Sequence, residues 1–85
     1  MIFEEIGVEC YGGYKADERP VAFTFRGRRR KIAEIVDRWY EGGRDARQPE
    51  LDYFRVLSTA GETFLIRYNK LFDRWAIVIP EQDGR

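Results

Sequence analysis

Residues 20–43, PVAFTFRGRRRKIAEIVDRWYEGG, decide the fold. Val21, Phe23 and Phe25 alternate with Ala22 and Thr24, the period of a half-buried strand. Arg26-Gly27 reads as a two-residue hairpin turn, which sets Phe25 opposite Arg28, Thr24 opposite Arg29, Phe23 opposite Arg30 and Val21 opposite Ile32. In that register Arg28 and Arg30 share a face with Phe25 and Phe23, so their alkyl stems cover rings while the guanidinium groups reach water. Beyond Lys31 the pattern is ambiguous. Ile32, Ile35, Val36, Trp39 and Tyr40 have the spacing of an amphipathic helix, and Gly42-Gly43 suits its C-terminal cap. Yet no Ser, Thr, Asp or Asn is placed to start such a helix. As a strand, the run sets Ile32, Val36 and Tyr40 against Ala33, Ile35 and Trp39, which suits a strand bent at a bulge. Periodicity alone leans towards the helix.

Working outward, residues 2–11 form a first strand with Ile6, Val8 and Cys10 on one side and Glu5, Glu9 and Tyr11 on the other. Segments 53–58, 63–68 and 74–79 read as three further strands, separated by the turn-forming TAGE and by 69–73. Each has apolar residues on both faces: Phe54 and Val56 against Tyr53 and Leu57, Phe64 and Ile66 against Leu65, Trp75 and Ile77 against Ala76 and Val78. Two-sided apolarity suits a sheet that curls on itself or is covered by a helix. The chain is expected to be one all-β domain over 1–85, a small antiparallel partly open barrel or roll of five or six strands with its core at 20–79. Segments 12–19 and 81–85 are expected to be flexible. An α+β fold with one helix at 32–41 packed on the sheet stays open as the alternative.

Composition excludes more than it assigns. Without a histidine, Ser-His triads, Cys-His dyads and HExxH zinc sites are ruled out, and Cys10 stands alone, so no intrachain disulfide or multi-cysteine metal site forms. Neither a GxxxxGK[ST] nor a GxGxxG cradle is present. Glu34, Asp37 and Glu41 would line one helical face, where a salt-bridged solvated face is the ordinary reading and paired acid catalysis the sharper one. Cys10, on an alternating strand with no base beside it, reads as a small core residue. No enzyme, cofactor or metal is expected. The N-terminus lacks a signal-peptide pattern and no apolar run would span a bilayer, so the reading is a cytoplasmic protein that makes no membrane contact.

Net charge is zero, but its distribution is uneven. Residues 1–20 hold five acids against two bases, residues 21–48 four against eight, and residues 49–85 six against five. The cations Arg26, Arg28, Arg29, Arg30 and Lys31 are therefore the leading binding candidate, gripping successive phosphates or an acidic partner with aromatic side chains nearby for stacking. Read structurally, the same charges guard an edge strand and balance the acidic N-terminal segment. Trp39 and Tyr40 form a second candidate interaction surface, against the ordinary reading that aromatic residues pack in the core or its rim. Gln48, Leu51 and Phe54 match the loose Q-x-x-L-x-x-F spacing of sliding-clamp ligands, although the match runs into a strand.

FTFRGRRRKIAEIVDRW followed by LDYFRVLSTAGETFLIRYNKLFDRWAIV resembles a bacterial domain family of unknown function. The likeness rests on Phe23, Phe25, Gly27, Arg28, Ile32 or Ala33, Ile35, Trp39, Phe54, Arg55, Val56, Arg74, Trp75 and Ile77, where Ile77 replaces the usual leucine. Similar segments sit at the C-terminus of Y-family-polymerase-like proteins of mutagenesis cassettes. The resemblance covers residues 20–79, leaves the acidic first twenty residues without a counterpart, and transfers no catalytic residue. It implies that residues 28–40 are one long bent strand. It also implies a non-enzymatic binding module in bacterial DNA-damage tolerance, with DNA or a DNA-repair protein as the candidate partner. A protein-interaction or self-association domain is the alternative. The sequence leaves the oligomeric state open.

Overall fold

A computed structural model describes residues 2–12, 19–42 and 49–79. Six strands follow one another: β1 (Ile2–Cys10), β2 (Pro20–Phe25), β3 (Arg28–Gly42), β4 (Glu50–Ser58), β5 (Thr63–Asn69) and β6 (Arg74–Ile79). Each pairs antiparallel with the next, and β1 pairs with β6, so the sheet closes into a barrel instead of staying partly open. The segments expected to be flexible lie almost entirely outside the described residues.

Two strands turn the corners. β1 pairs with β6 through Ile2–Ile6 and with β2 through Gly7–Cys10. β3 pairs with β2 through Arg28–Lys31 and with β4 through Ile32–Gly42. The hairpin register is the expected one for Phe25–Arg28, Thr24–Arg29 and Phe23–Arg30; the ladder ends at Ala22–Lys31, before Val21 meets Ile32. Arg26 and Gly27 both have positive φ, 52° and 78°, the geometry whose twist matches the flanking strands.

The helix at 32–41 does not form. Bulges between Ile32 and Glu34 and between Ile35 and Asp37 each insert one residue. Alternation therefore resets twice, and Ile32, Ile35, Arg38 and Tyr40 take the side of Ser58, Val56, Phe54 and Asp52. The extra residue at each bulge is what gave Ile32, Ile35, Val36, Trp39 and Tyr40 their helix-like spacing. Val36, left out of the ladder, is exposed. At the end of β3 Gly42 has φ 95°, and a Cβ there would collide with the Pro49 carbonyl oxygen, so only glycine fits.

The interior is built from Ile6, Val8, Cys10, Phe23, Phe54, Val56, Ile66, Tyr68, Trp75 and Ile77. Phe23 meets Phe64 edge-on at 5.2 Å, and Trp75 lies 5.5 Å from Phe54 and 5.0 Å from Tyr68. Cys10 is buried here, as its strand position suggested. Phe54 is fully buried, which removes it from the clamp-ligand spacing; Gln48 lies outside the described residues.

The Tyr68 hydroxyl donates to Asp73 Oδ1. Burial, then that hydrogen bond, push its phenol up to about 12 from 10.0. The unfolded chain thus loses this proton first, so the contribution is complete below pH 10.0 and disappears as pH rises through about 12. Urea titrations should show this alkaline loss in the wild type and a flatter profile over that window in Tyr68→Phe, which should cost about 1 kcal/mol at neutral pH.

Candidate anion-binding groove

β2 and β3 present the basic run beside the β4–β5 turn, and the sheet's curl brings acids of β1 alongside it. Arg26 Nη2 reaches Glu4 Oε1 at 3.4 Å while its guanidinium lies over the Phe25 ring at 4.8 Å. Arg29 makes a two-point fork with Glu9, Nε to Oε2 at 2.7 Å and Nη2 to Oε1 at 2.9 Å. The fork holds the Glu9 carboxyl below its ordinary range and raises the Arg29 guanidinium. Arg30 Nη1 donates to Glu62 at 2.7 Å, and the same guanidinium lies 5.1 Å from the Phe64 ring and 5.8 Å from Phe25. Arg28 and Lys31 make no ion pair with a described residue.

The five cations thus divide into three already matched to carboxylates and two that are not. This departs from a ribbon projecting wholly unpaired into water. Its cause is that β1 lies antiparallel against β2, which puts Glu9 in line with Lys31 across Ala22, two strands away, and diagonal to Arg29. Arg30 is a structural residue first: its side chain is 22% exposed, and its Nε is buried without a hydrogen-bond partner.

Between the basic strand and the β4–β5 turn lies a groove of about 580 Å³, lined by Arg28, Arg29, Arg30, Lys31, Ser58, Thr59, Ala60 and Glu62. Hydrogen bonds fix the turn and tie it to the basic strand. Thr59 N–H donates to the Lys31 carbonyl, Gly61 N–H to the Ser58 carbonyl, and Glu62 N–H to Ser58 Oγ. Four cations and one acid line this groove; Arg30 engages the acid, and Arg29 is turned to Glu9 outside it. The arrangement suits an anion with several oxygens.

Trp39 and Tyr40 do not form one patch. They are consecutive in a strand and point to opposite sides: Trp39 stacks on Tyr53 at 5.3 Å with planes 3° apart, while Tyr40 carries Lys70 over its ring at 5.6 Å. Glu34 and Asp37 are exposed on β3, opposite Leu57 and Arg55, so the second bulge keeps both on the outward side of the strand, next to Arg55 and Trp39 and away from any enclosed site. Two cations went unnoticed as site residues in the sequence. Arg55 lies 5.7 Å from the Trp39 ring and Arg67 lies 3.7 Å from the Phe3 ring, neither in an ion pair with a described residue. Their signal was there, since both occupy outward strand positions between apolar neighbours, but it reads equally as packing.

Fold and groove together define a small closed all-β barrel domain with a cationic groove at one side. The chain belongs to the family described as a domain of unknown function (DUF6504), whose model matches residues 3–79. The match takes in the acidic N-terminal strand that the resemblance left without a counterpart, as the architecture requires, because β1 is the strand that closes the barrel. Comparison with curated proteins finds no match, and comparison with solved structures finds none either. No helix among the described residues is long and apolar enough to cross a membrane.

Unequal roles for neighbouring arginines are measurable by urea denaturation. Arg30→Ala should cost about 2 kcal/mol through lost stem packing and ring contacts. Arg30→Met should recover most of that loss, because it fills the same space without a buried Nε. Arg28→Ala should stay within about 0.5 kcal/mol of wild type.

Proposed function

We propose that this domain is a non-enzymatic binding module for a phosphate backbone, with Arg28 and Lys31 as the engaging cations of the groove. The observation that carries the reading is the groove's imbalance: four cations, two of them without a described carboxylate partner, against one acid that is already engaged. Arg29 and Arg30 serve it indirectly, by supplying positive potential from fixed positions. The likeness to segments of Y-family-polymerase-like proteins supports a nucleic-acid setting in bacterial DNA-damage tolerance.

A second reading is self-association. Between Ile32 and Gly42 no described strand pairs with the other edge of β3, and such an edge is a template for strand addition. Two bulges and the charged Glu34, Asp37, Arg38 and Glu41 oppose it, since both devices discourage edge pairing.

Titration of the domain with duplex DNA over a salt series tests the first reading. Two phosphates neutralised by Arg28 and Lys31 give a slope of log K on log salt of about −1.8, whereas all five cations would give about −4.5. The expected slope is the smaller one, and it should collapse in Arg28→Ala/Lys31→Ala. Binding unchanged in that variant, or no binding at low salt together with a stable dimer on sedimentation, removes the reading and leaves self-association.

A further inference from the structure

The β5–β6 ladder ends at Leu65–Val78, whereas β1 and β6 stay paired as far as Ile2–Ile79 and β4 and β5 as far as Leu57–Thr63. Phe64 and Ile79, the next residues along, therefore part without pairing, one following β4 and the other β1. A pocket of about 440 Å³ opens at this split, at the end of the barrel that carries the Arg26-Gly27 turn. Phe25, Phe64, Ile77 and Ile79, all packed on the core, reach it from the interior side, and Leu65 and Val78 line it from the outer side. Its size falls within the roughly 300–1,000 Å³ of small-molecule sites, for which barrel mouths are a usual place. The aromatic wall is preformed: Phe25 and Phe64 meet edge-on at 6.4 Å, and Arg30 lies against both rings.

Two arginines and no acid line the pocket. Arg55 contributes little charge, because its guanidinium lies 5.7 Å from the Trp39 ring and Asp37 is directly across from it in the β3–β4 ladder. Arg26 is the cation with donors to spare. Its side chain is 64% exposed and its contact with Glu4 is a single one at 3.4 Å, whereas Arg29 spends two donors on Glu9 at 2.7 and 2.9 Å. A guanidinium presents its N–H groups as a planar fork matched to a carboxylate, and most of that fork is open on Arg26. Glu4, paired with Ile77 in the β1–β6 ladder, competes for the same cation.

We propose that this pocket binds a small apolar carboxylate, its hydrocarbon body between Phe25, Phe64 and Ile79 and its carboxylate on the Arg26 fork. At about 30 Å³ for each water-sized group, the volume holds at most about fifteen non-hydrogen atoms, enough for a ten-carbon acid and too little for a membrane lipid. A neutral hydrocarbon would leave Arg26 unused, and an organic cation would be repelled by it. A nucleotide would bring a polar body to an apolar lining. The pocket shares no lining residue with the groove and does not rest on it.

The test is a methyl nuclear magnetic resonance titration of the whole chain with decanoate, decanol and decylammonium, each kept below its micellar range. Decanoate should shift the methyl signals of Leu65, Ile77, Val78 and Ile79 saturably and leave that of Val8, further along β1, in place. Decanol should bind about tenfold more weakly, and decylammonium more weakly still. Arg26→Asn, which keeps a residue tolerant of the turn's positive φ, should bring decanoate down to the decanol level. Glu4→Gln releases Arg26 and should tighten decanoate about threefold, which a merely structural pair would not do. Thr63→Trp, at the exposed start of β5 on the pocket rim, should block binding without moving the Val8 signal. Arg28→Ala/Lys31→Ala should change none of these shifts. Absence of saturable shifts, decylammonium bound as tightly as decanoate, Glu4→Gln that weakens binding, or variants of Arg26 and Thr63 that bind like wild type would overturn the proposal. So would methyl shifts that change on dilution of the protein alone, since they would give the pocket to a second copy.

Discussion

Closure of this barrel depends on one constraint: a 15-residue strand must leave one partner and join another without breaking. β3 does so at Ile32, and the two bulges that follow give it the bend and twist to wrap the interior. Without them, strict alternation would send Ile35 outward and remove a partly buried side chain from the core. Their cost is an irregular edge on β3, which also makes that edge a poor template for other strands. β1 performs the matching turn in nine residues, and the two bent strands together bring the first and last elements side by side.

Curvature then decides the electrostatics. The acidic first segment and the basic second segment become neighbouring strands, so Glu4 and Glu9 find Arg26 and Arg29 across the surface. These exposed pairs add little to stability; their larger effect is to fix which cations remain available. Arg30 is drawn inward by the rings of Phe25 and Phe64, which leaves Arg28 and Lys31 as the groove-lining cations without a described carboxylate partner.

Much of this was legible in the residues. Phe25-Arg26-Gly27-Arg28 set the hairpin register, and two-sided apolarity in residues 53–58, 63–68 and 74–79 required a curled sheet. The residues between Ile32 and Tyr40 misled because a twice-bulged strand and an amphipathic helix share a spacing of three, and only the pairing with Val56 and Phe54 separates them. Segment charges announced that acids balance the basic run, but which acid meets which arginine depends on strand order. The outward placement of Arg55 and Arg67 was hidden for a related reason: in sequence each sits between two core residues, Phe54 and Val56 or Ile66 and Tyr68.

The most direct test of this account is the solution conformation of residues 31–42. Nuclear magnetic resonance should give extended-chain carbon shifts throughout the segment, with cross-strand contacts from Ile35 to Val56 and from Trp39 to Tyr53. Helical shifts with sequential amide contacts between Ile32 and Tyr40 would contradict the bulged strand, and the closed barrel and the groove would fall with it.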